Sequence, residues 1–287
     1  MKYRHSRLEA YFLSMEQSIT LSGLNVSVWS QENANTIKQP VLIFSHGFHG
    51  WATQSRFLMK AFASAGYIVF APNHRDAVFN NGQVGLFGKA QTPFRHPAAW
   101  SENTFRDRAG DIRHLIDALQ VNETFKARLD WSRLGLVGHS LGGYTVLGLA
   151  GAWSSWKFNG IKAVLALSPY SHPFIVHKTL ESLSAPVMYQ GGTWDFGLTS
   201  SLHKPSGGYD LSPKPKYLVE FSHASHFAWA NLGIVAHNAI SYYSLAFMDH
   251  YAKGELDEKR LTKVLPGVAL YRYSSEFGNS ADAAGQK

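Results

Sequence analysis

Short runs of consecutive apolar residues set the strongest limit on how this chain can fold. "VLIF" (41–44), "YIVFAP" (67–72), "LGLV" (134–137) and "AVLALS" (163–168) present no polar face. Strands of that kind are buried on both sides, which calls for helices above and below a parallel sheet. The intervening segments supply them. Residues 51–65 predict a helix closed by Gly66, and Phe105, Ala109, Ile112, Ile116 and Leu119 recur at helical spacing within 103–120. Another helix is expected at about 141–152, strands at 186–192 ("PVMYQGG") and 217–221 ("YLVEF"), and a last helix at about 234–253. Near the N-terminus, "SITL" (18–21) and "LNVSVWS" (24–30) flank Ser22-Gly23 and predict a β-hairpin. The sum is an α/β fold: a mostly parallel sheet of about eight strands with helices on both faces. One domain is expected over 1–287, with its core at about 18–253 and a frayed polar tail from Ser274 to Lys287. The irregular stretch 73–100 is long enough to predict a functional loop.

Composition removes several function classes. The net charge is +7, yet lysine and arginine are scattered. Arg4–Arg7 and Arg106–Arg108–Arg113 are short clusters, the second interleaved with Asp107 and Asp111. Nucleic-acid binding would call for a basic stripe or a reading motif, and neither is present. Cysteine is absent, which excludes disulfides, thiolate metal sites and a cysteine nucleophile. His172 and His177 around Pro173, and the isolated His203, form no metal-ligand set, so neither metal nor cofactor is expected. No apolar segment reaches membrane-spanning length. "MKYRHSRLEAYFLSMEQ" lacks the apolar stretch of a signal peptide, so the chain reads as cytoplasmic, or as secreted if a leader has been removed. Nothing specifies an oligomeric state.

One stretch carries chemistry. In "VGHSLGG" (137–143), Ser140 stands between Gly138 and Gly142, with Gly143 following, between a buried strand and a helix. A side chain projecting from so sharp a strand-to-helix turn leaves no room for neighbours two residues away, and glycine removes them. The serine could alternatively cap the helix, but the G-x-S-x-G spacing with both flanks in place points to a nucleophile. A serine hydroxyl needs a neutral imidazole to take its proton. Two of the fourteen histidines, His223 and His226, follow the last predicted strand, where a loop can reach back toward Ser140. Two carboxylates compete to orient that base. Asp195 follows the strand before it through Gly191-Gly192, whereas Asp210 lies among glycines and prolines that suggest a turn.

Four segments, "VLIFSHGFHGW", "GYIVFAPNHRDA", "LVGHSLGGYTVLGLA" and "YLVEFSHASHFAWAN", resemble the α/β-hydrolase superfamily. The resemblance covers residues from about 18 to 253. It lies nearest the branch of dienelactone hydrolases, cutinase-like polyester hydrolases and platelet-activating-factor acetylhydrolases. It implies an α/β-hydrolase fold without a large cap domain and a chain order of serine, acid, histidine. Similar enzymes place the base in a (G/A)-S-H-F setting, which matches Ala224 to Phe227 and favours His226. They donate two backbone N–H groups to the reacting oxygen, at positions equivalent here to Phe48 and Leu141. His46 would hold that loop in shape. Tyr170 stands where cutinase-like enzymes carry tryptophan, and Trp51, Trp194 and Trp229 flank the same positions as candidate substrate contacts. Dienelactone hydrolases themselves use cysteine, so that likeness implies fold alone.

The function expected is a serine carboxylic-ester hydrolase working through an acyl-enzyme, with Ser140, His226 and Asp195 as its triad. The substrate expected is a small or aromatic ester. An amidase or peptidase, or a lipase-type phospholipid acyl hydrolase, would use the same residues. A non-catalytic binding protein on this fold is the reading from another class.

Overall fold

The computed structural model describes residues 14–31, 37–78 and 89–280. All eight expected strands form: β1 (Ser14–Leu21), β2 (Leu24–Gln31), β3 (Gln39–Ser45), β4 (Ile68–Pro72), β5 (Leu129–His139), β6 (Ile161–Leu167), β7 (Val187–Gly192) and β8 (Lys216–Phe221). Two more follow, β9 (Val268–Ser275) and β10 (Gly278–Asn279), and the sheet runs in the order β1-β2-β4-β3-β5-β6-β7-β8-β9-β10. From β4 to β8 every pairing is parallel, while β1, β2, β9 and β10 add antiparallel edges.

The central strands are apolar on both faces because both faces are covered. In β3, Val41 and Ile43 enter one core with Ile112 and Ile116 of α2 (Arg106–Val121) and with Val146 and Leu147 of α3 (Leu141–Leu147). Leu42 and Phe44 enter the other, with Leu58 and Phe62 of α1 (Arg56–Ser64) and Tyr243 and Phe247 of α7 (His237–Met248). Each fully buried side chain of this size contributes about 1.5–3 kcal/mol. Between β6 and β7 lies the short helix α4 (His172–His177), and between β7 and β8 lie α5 (Phe196–His203) and α6 (Gly208–Leu211). Neither insertion is large enough to form a cap domain.

Several boundaries differ from expectation. Residues 51–55 form turns rather than helix, with Gln54 N–H bonded to the Trp51 carbonyl, and α1 starts at Arg56. The helix α7 continues as a wider turn through Lys253, ended by Gly254 in the left-handed region, and is followed by α8 (Glu258–Thr262). Residues 274–280 are not frayed. Ser274 pairs with Lys216 in β8 and with Asn279 in β10, and Tyr271 packs without exposure beneath Tyr243. The expected tail beyond residue 280, residues 79–88 of the predicted loop, and the Arg4–Arg7 cluster lie outside the described residues.

Pairing with β9 makes β8 an interior strand. Tyr271→Ala should therefore lower the unfolding free energy by about 3–5 kcal/mol, as aromatic truncations in cores do. Urea denaturation reads this directly, and a loss under about 1 kcal/mol would deny β9 a structural role.

Candidate active site

Four adjacent parallel strands each deliver one polar side chain to the same end of the sheet. Ser140 follows β5, Ser168 follows β6, Asp195 lies just beyond β7, and His226 lies beyond β8. Functional groups of open α/β sheets collect at these carboxyl ends. Ser140 has φ 57° and ψ −116°, a conformation that serine adopts only under constraint. Its surroundings explain the glycines. A Cβ on Gly138 would lie 2.2 Å from the Gly142 carbonyl oxygen, and one on Gly142 would lie 1.9 Å from the Ser45 carbonyl oxygen. No side chain fits either place.

His226 Nε2 lies 3.0 Å from Ser140 Oγ, a distance at which an imidazole can accept the hydroxyl proton. On its other side, His226 Nδ1 is 2.8 Å from Ser168 Oγ and 3.3 Å from Asp195 Oδ2. The Ser168 hydroxyl donates to the same Asp195 oxygen. The alternatives lie elsewhere. His223 is exposed, with its ring edge-on to Trp194, and Asp210 lies in α6, accepts from the Ser206 N–H in the turn before it and faces Arg272.

Two buried clamps hold the loop after β3 against Ser140. Arg108, fully buried, donates to both oxygens of Asp76 at 2.9 and 2.6 Å, to the His46 carbonyl at 2.7 Å and to the Gly47 carbonyl at 3.1 Å. Burial alone would raise the Asp76 carboxyl, yet the Arg108 guanidinium holds it well below the usual carboxylate range. His46 accepts from the His74 N–H at 3.0 Å through Nε2, which leaves Nδ1–H to donate to the Gly47 carbonyl at 2.7 Å. Burial, then the charge of Arg108, keeps this ring neutral. The second clamp is Gln54. Its Oε1 accepts from the Gly47 N–H at 3.2 Å and its Nε2 donates to His139 Nδ1 at 2.8 Å. His139 Nε2–H then donates to the His226 carbonyl at 2.9 Å. Burial, with His226 nearby, pushes His139 down to about 3. The loop, the serine turn and His226 are thereby tied through one neutral chain of hydrogen bonds.

Phe48 and Leu141 flank the serine. A Cβ on Gly47 would touch Ser140 Cβ at 3.4 Å, which places Phe48 at the same turn. Leu141 opens α3, where a first-turn N–H has no carbonyl acceptor within its helix. A cleft of about 380 Å³ opens over Ser140 and His226, walled by Phe48, Trp51, Phe94 and Tyr170. Phe94 meets Phe48 and Tyr170 edge-on, at 5.5 and 4.9 Å between ring centres. Tyr170 Oη donates to the Phe94 carbonyl at 2.6 Å, which spends its polar end on the wall.

Two expected contacts do not reach this cleft. The turn that bonds Asp195 N–H to the Gly192 carbonyl directs Asp195 inward and leaves Trp194 half exposed beside His223. Trp229 is fully buried, stacked below His139 with its indole N–H donating to Gln190 at 3.0 Å. Residues that sequence reasoning did not single out are Gln54, Phe94, Arg108 as a clamp and Ser168. Only Phe94 carried a signal, its place in the long irregular stretch 73–100.

Two outcomes test this framework. Gly142→Ala must push two backbone segments apart and should cost at least about 1–3 kcal/mol of stability, and an unchanged thermal melt would contradict the close approach. His46 and His139 are held neutral in the fold, so between the folded and unfolded pKa the unfolded chain binds more protons. Their stabilisation is whole above pH 6.5 and falls as pH drops, for His139 toward about 3. The expected slope is about 1.4 kcal/mol per pH unit for each such proton. Urea unfolding that is equally stable at pH 7 and pH 5 would refute the assignment.

The alpha/beta hydrolase fold model matches residues 40–186, just over half of the chain. Among known proteins, the chain is 28% identical over 164 residues to cutinase est2 of Thermobifida alba, covering 56% of this chain and 49% of that protein. It is 27% identical over 145 residues to cutinase 1 of Thermobifida cellulosilytica, covering 50% of each. Against the cutinase of Thermobifida fusca (strain YX) it is 27% identical over 145 residues, 50% of this chain and 43% of that one. The chain thus spans about half the length of the curated relatives it matches. With the family model covering β3 through β6, the serine turn between them and the chain up to the residue before β7, the chain belongs to the alpha/beta hydrolase fold family.

Proposed function

We propose that the chain is a serine carboxylic-ester hydrolase acting on apolar, flat or aromatic esters. One observation carries the reading: the 3.0 Å between Ser140 Oγ and His226 Nε2, on a turn strained to project the hydroxyl. Ser140 Oγ bonds to the ester carbonyl carbon while His226 Nε2 takes its proton, and the carbonyl electron pair moves onto oxygen. The N–H groups of Phe48 and Leu141 stabilise that oxyanion, each such donor being worth about 2.7–4 kcal/mol of barrier. The pair returns, the bond to the alcohol oxygen breaks, and His226 gives the alcohol its proton. Water repeats the sequence on the acyl-enzyme, releasing the carboxylic acid and restoring Ser140. Asp195 stabilises the imidazolium and orients it.

The aromatic walls support an apolar acyl group, since none of the described residues lining the cleft is an aspartate, glutamate, lysine or arginine. Phe227 and Leu232 line the same cleft and are largely exposed, which extends the apolar surface outward from its mouth. The relatives named cutinases support an ester substrate rather than an amide.

A fluorophosphonate probe should label the wild type on Ser140. Ser140→Ala should resist labelling and lose p-nitrophenyl ester hydrolysis by at least about 10⁴-fold. Labelling that survives the substitution places the nucleophile elsewhere.

A further inference from the structure

Ser168 occupies a place that the mechanism above leaves without a task. It follows β6, the strand between those that deliver Ser140 and Asp195, and it is fully buried. Its φ of 41° lies in the left-handed region, where glycine is the usual occupant. The backbone is held there by the Ser168 N–H bond to the Gln190 carbonyl at 2.7 Å. A strained non-glycine residue at a functional centre invites the question of what its side chain does.

The answer follows from counting donors. When His226 Nε2 is free to accept the Ser140 proton, the single imidazole N–H is on Nδ1. Of its two acceptors, Ser168 Oγ at 2.8 Å is well inside hydrogen-bond range, and Asp195 Oδ2 at 3.3 Å lies beyond the usual limit. The Ser168 hydroxyl proton goes to Asp195 Oδ2, because a carboxylate only accepts. The direction is then fixed: Nδ1–H to Oγ, Oγ–H to Oδ2. A hydroxyl that donates to an anion is polarised and accepts more strongly. We propose that Ser168 is a positioning residue through which Asp195 acts, its hydroxyl being the main hydrogen-bond link between the carboxylate and the imidazole. The inference rests on the reading of Ser140 and His226 given above.

Ser168→Gly tests it, since glycine accepts the backbone conformation and only the hydroxyl is lost. The folded variant should lose about 10- to 100-fold in kcat on a p-nitrophenyl ester, the effect of one hydrogen bond to an ionic partner, with KM within about twofold. Ser168→Ala, carrying the same expectation, serves if the glycine variant does not fold. Asp195→Asn should cost about 10⁴-fold in the wild type, and far less when added to Ser168→Gly, because both changes break the same chain. A variant with the wild-type kcat, a loss confined to KM, or two losses that multiply in full overturns the proposal. Fluorophosphonate labelling of the wild type separates the two levels: an unlabelled wild type removes the whole reading of the site, whereas a labelled one with unaffected Ser168 variants removes this inference alone.

Discussion

The backbone of Gly142 passes so close to the Ser45 carbonyl that a single methyl group could not stand between them. That approach ties the turn after β5 to the loop after β3, and most of the site follows from it. It brings Phe48 and Leu141 to either side of Ser140, and it leaves the serine in a backbone conformation that no isolated strand–helix junction would hold. The energy of that conformation is carried by the packing of the parallel strands beneath, which are apolar on both faces and cannot shift register without exposing one set of side chains.

The two clamps on the loop after β3 differ in physical character. Arg108 and Asp76 form a buried ion pair, and Arg108 holds the loop by hydrogen bonds to the His46 and Gly47 carbonyl groups. Gln54 and His139 form a neutral chain that ends on the backbone of His226. A charged group placed directly beside Ser140 would bias the imidazole toward one protonation state. Here the charged clamp stands behind the loop and the neutral one reaches the backbone of His226.

The strands could be read because burial on both faces leaves a run of apolar residues that needs no partner to be recognised. Ser140 was legible for a similar reason: its glycines are a local requirement of a local bend. Asp195 and His226 needed chain order and a family likeness besides. Gln54, Ser168 and Arg108 could not be found that way, because their partners lie 85, 58 and 62 residues distant and no local spacing encodes the contact. Trp194 and Trp229 were misplaced because nearness in sequence to Asp195 and His226 does not say which way a turn points a ring. β9 escaped notice because "VALYRYSS" mixes strand-forming residues with Arg272 and serines beyond the stretch where the apolar pattern is strong.

The antiparallel pairing of β8 with β9 has a consequence for synthesis. His226 lies just beyond a strand whose outer edge is completed only by residues 268–275, near the end of the described chain. A ribosome has therefore released nearly all of the sheet before that edge is covered. Until then a nascent chain lacks the partner for the outer edge of β8, the strand just beyond which His226 lies.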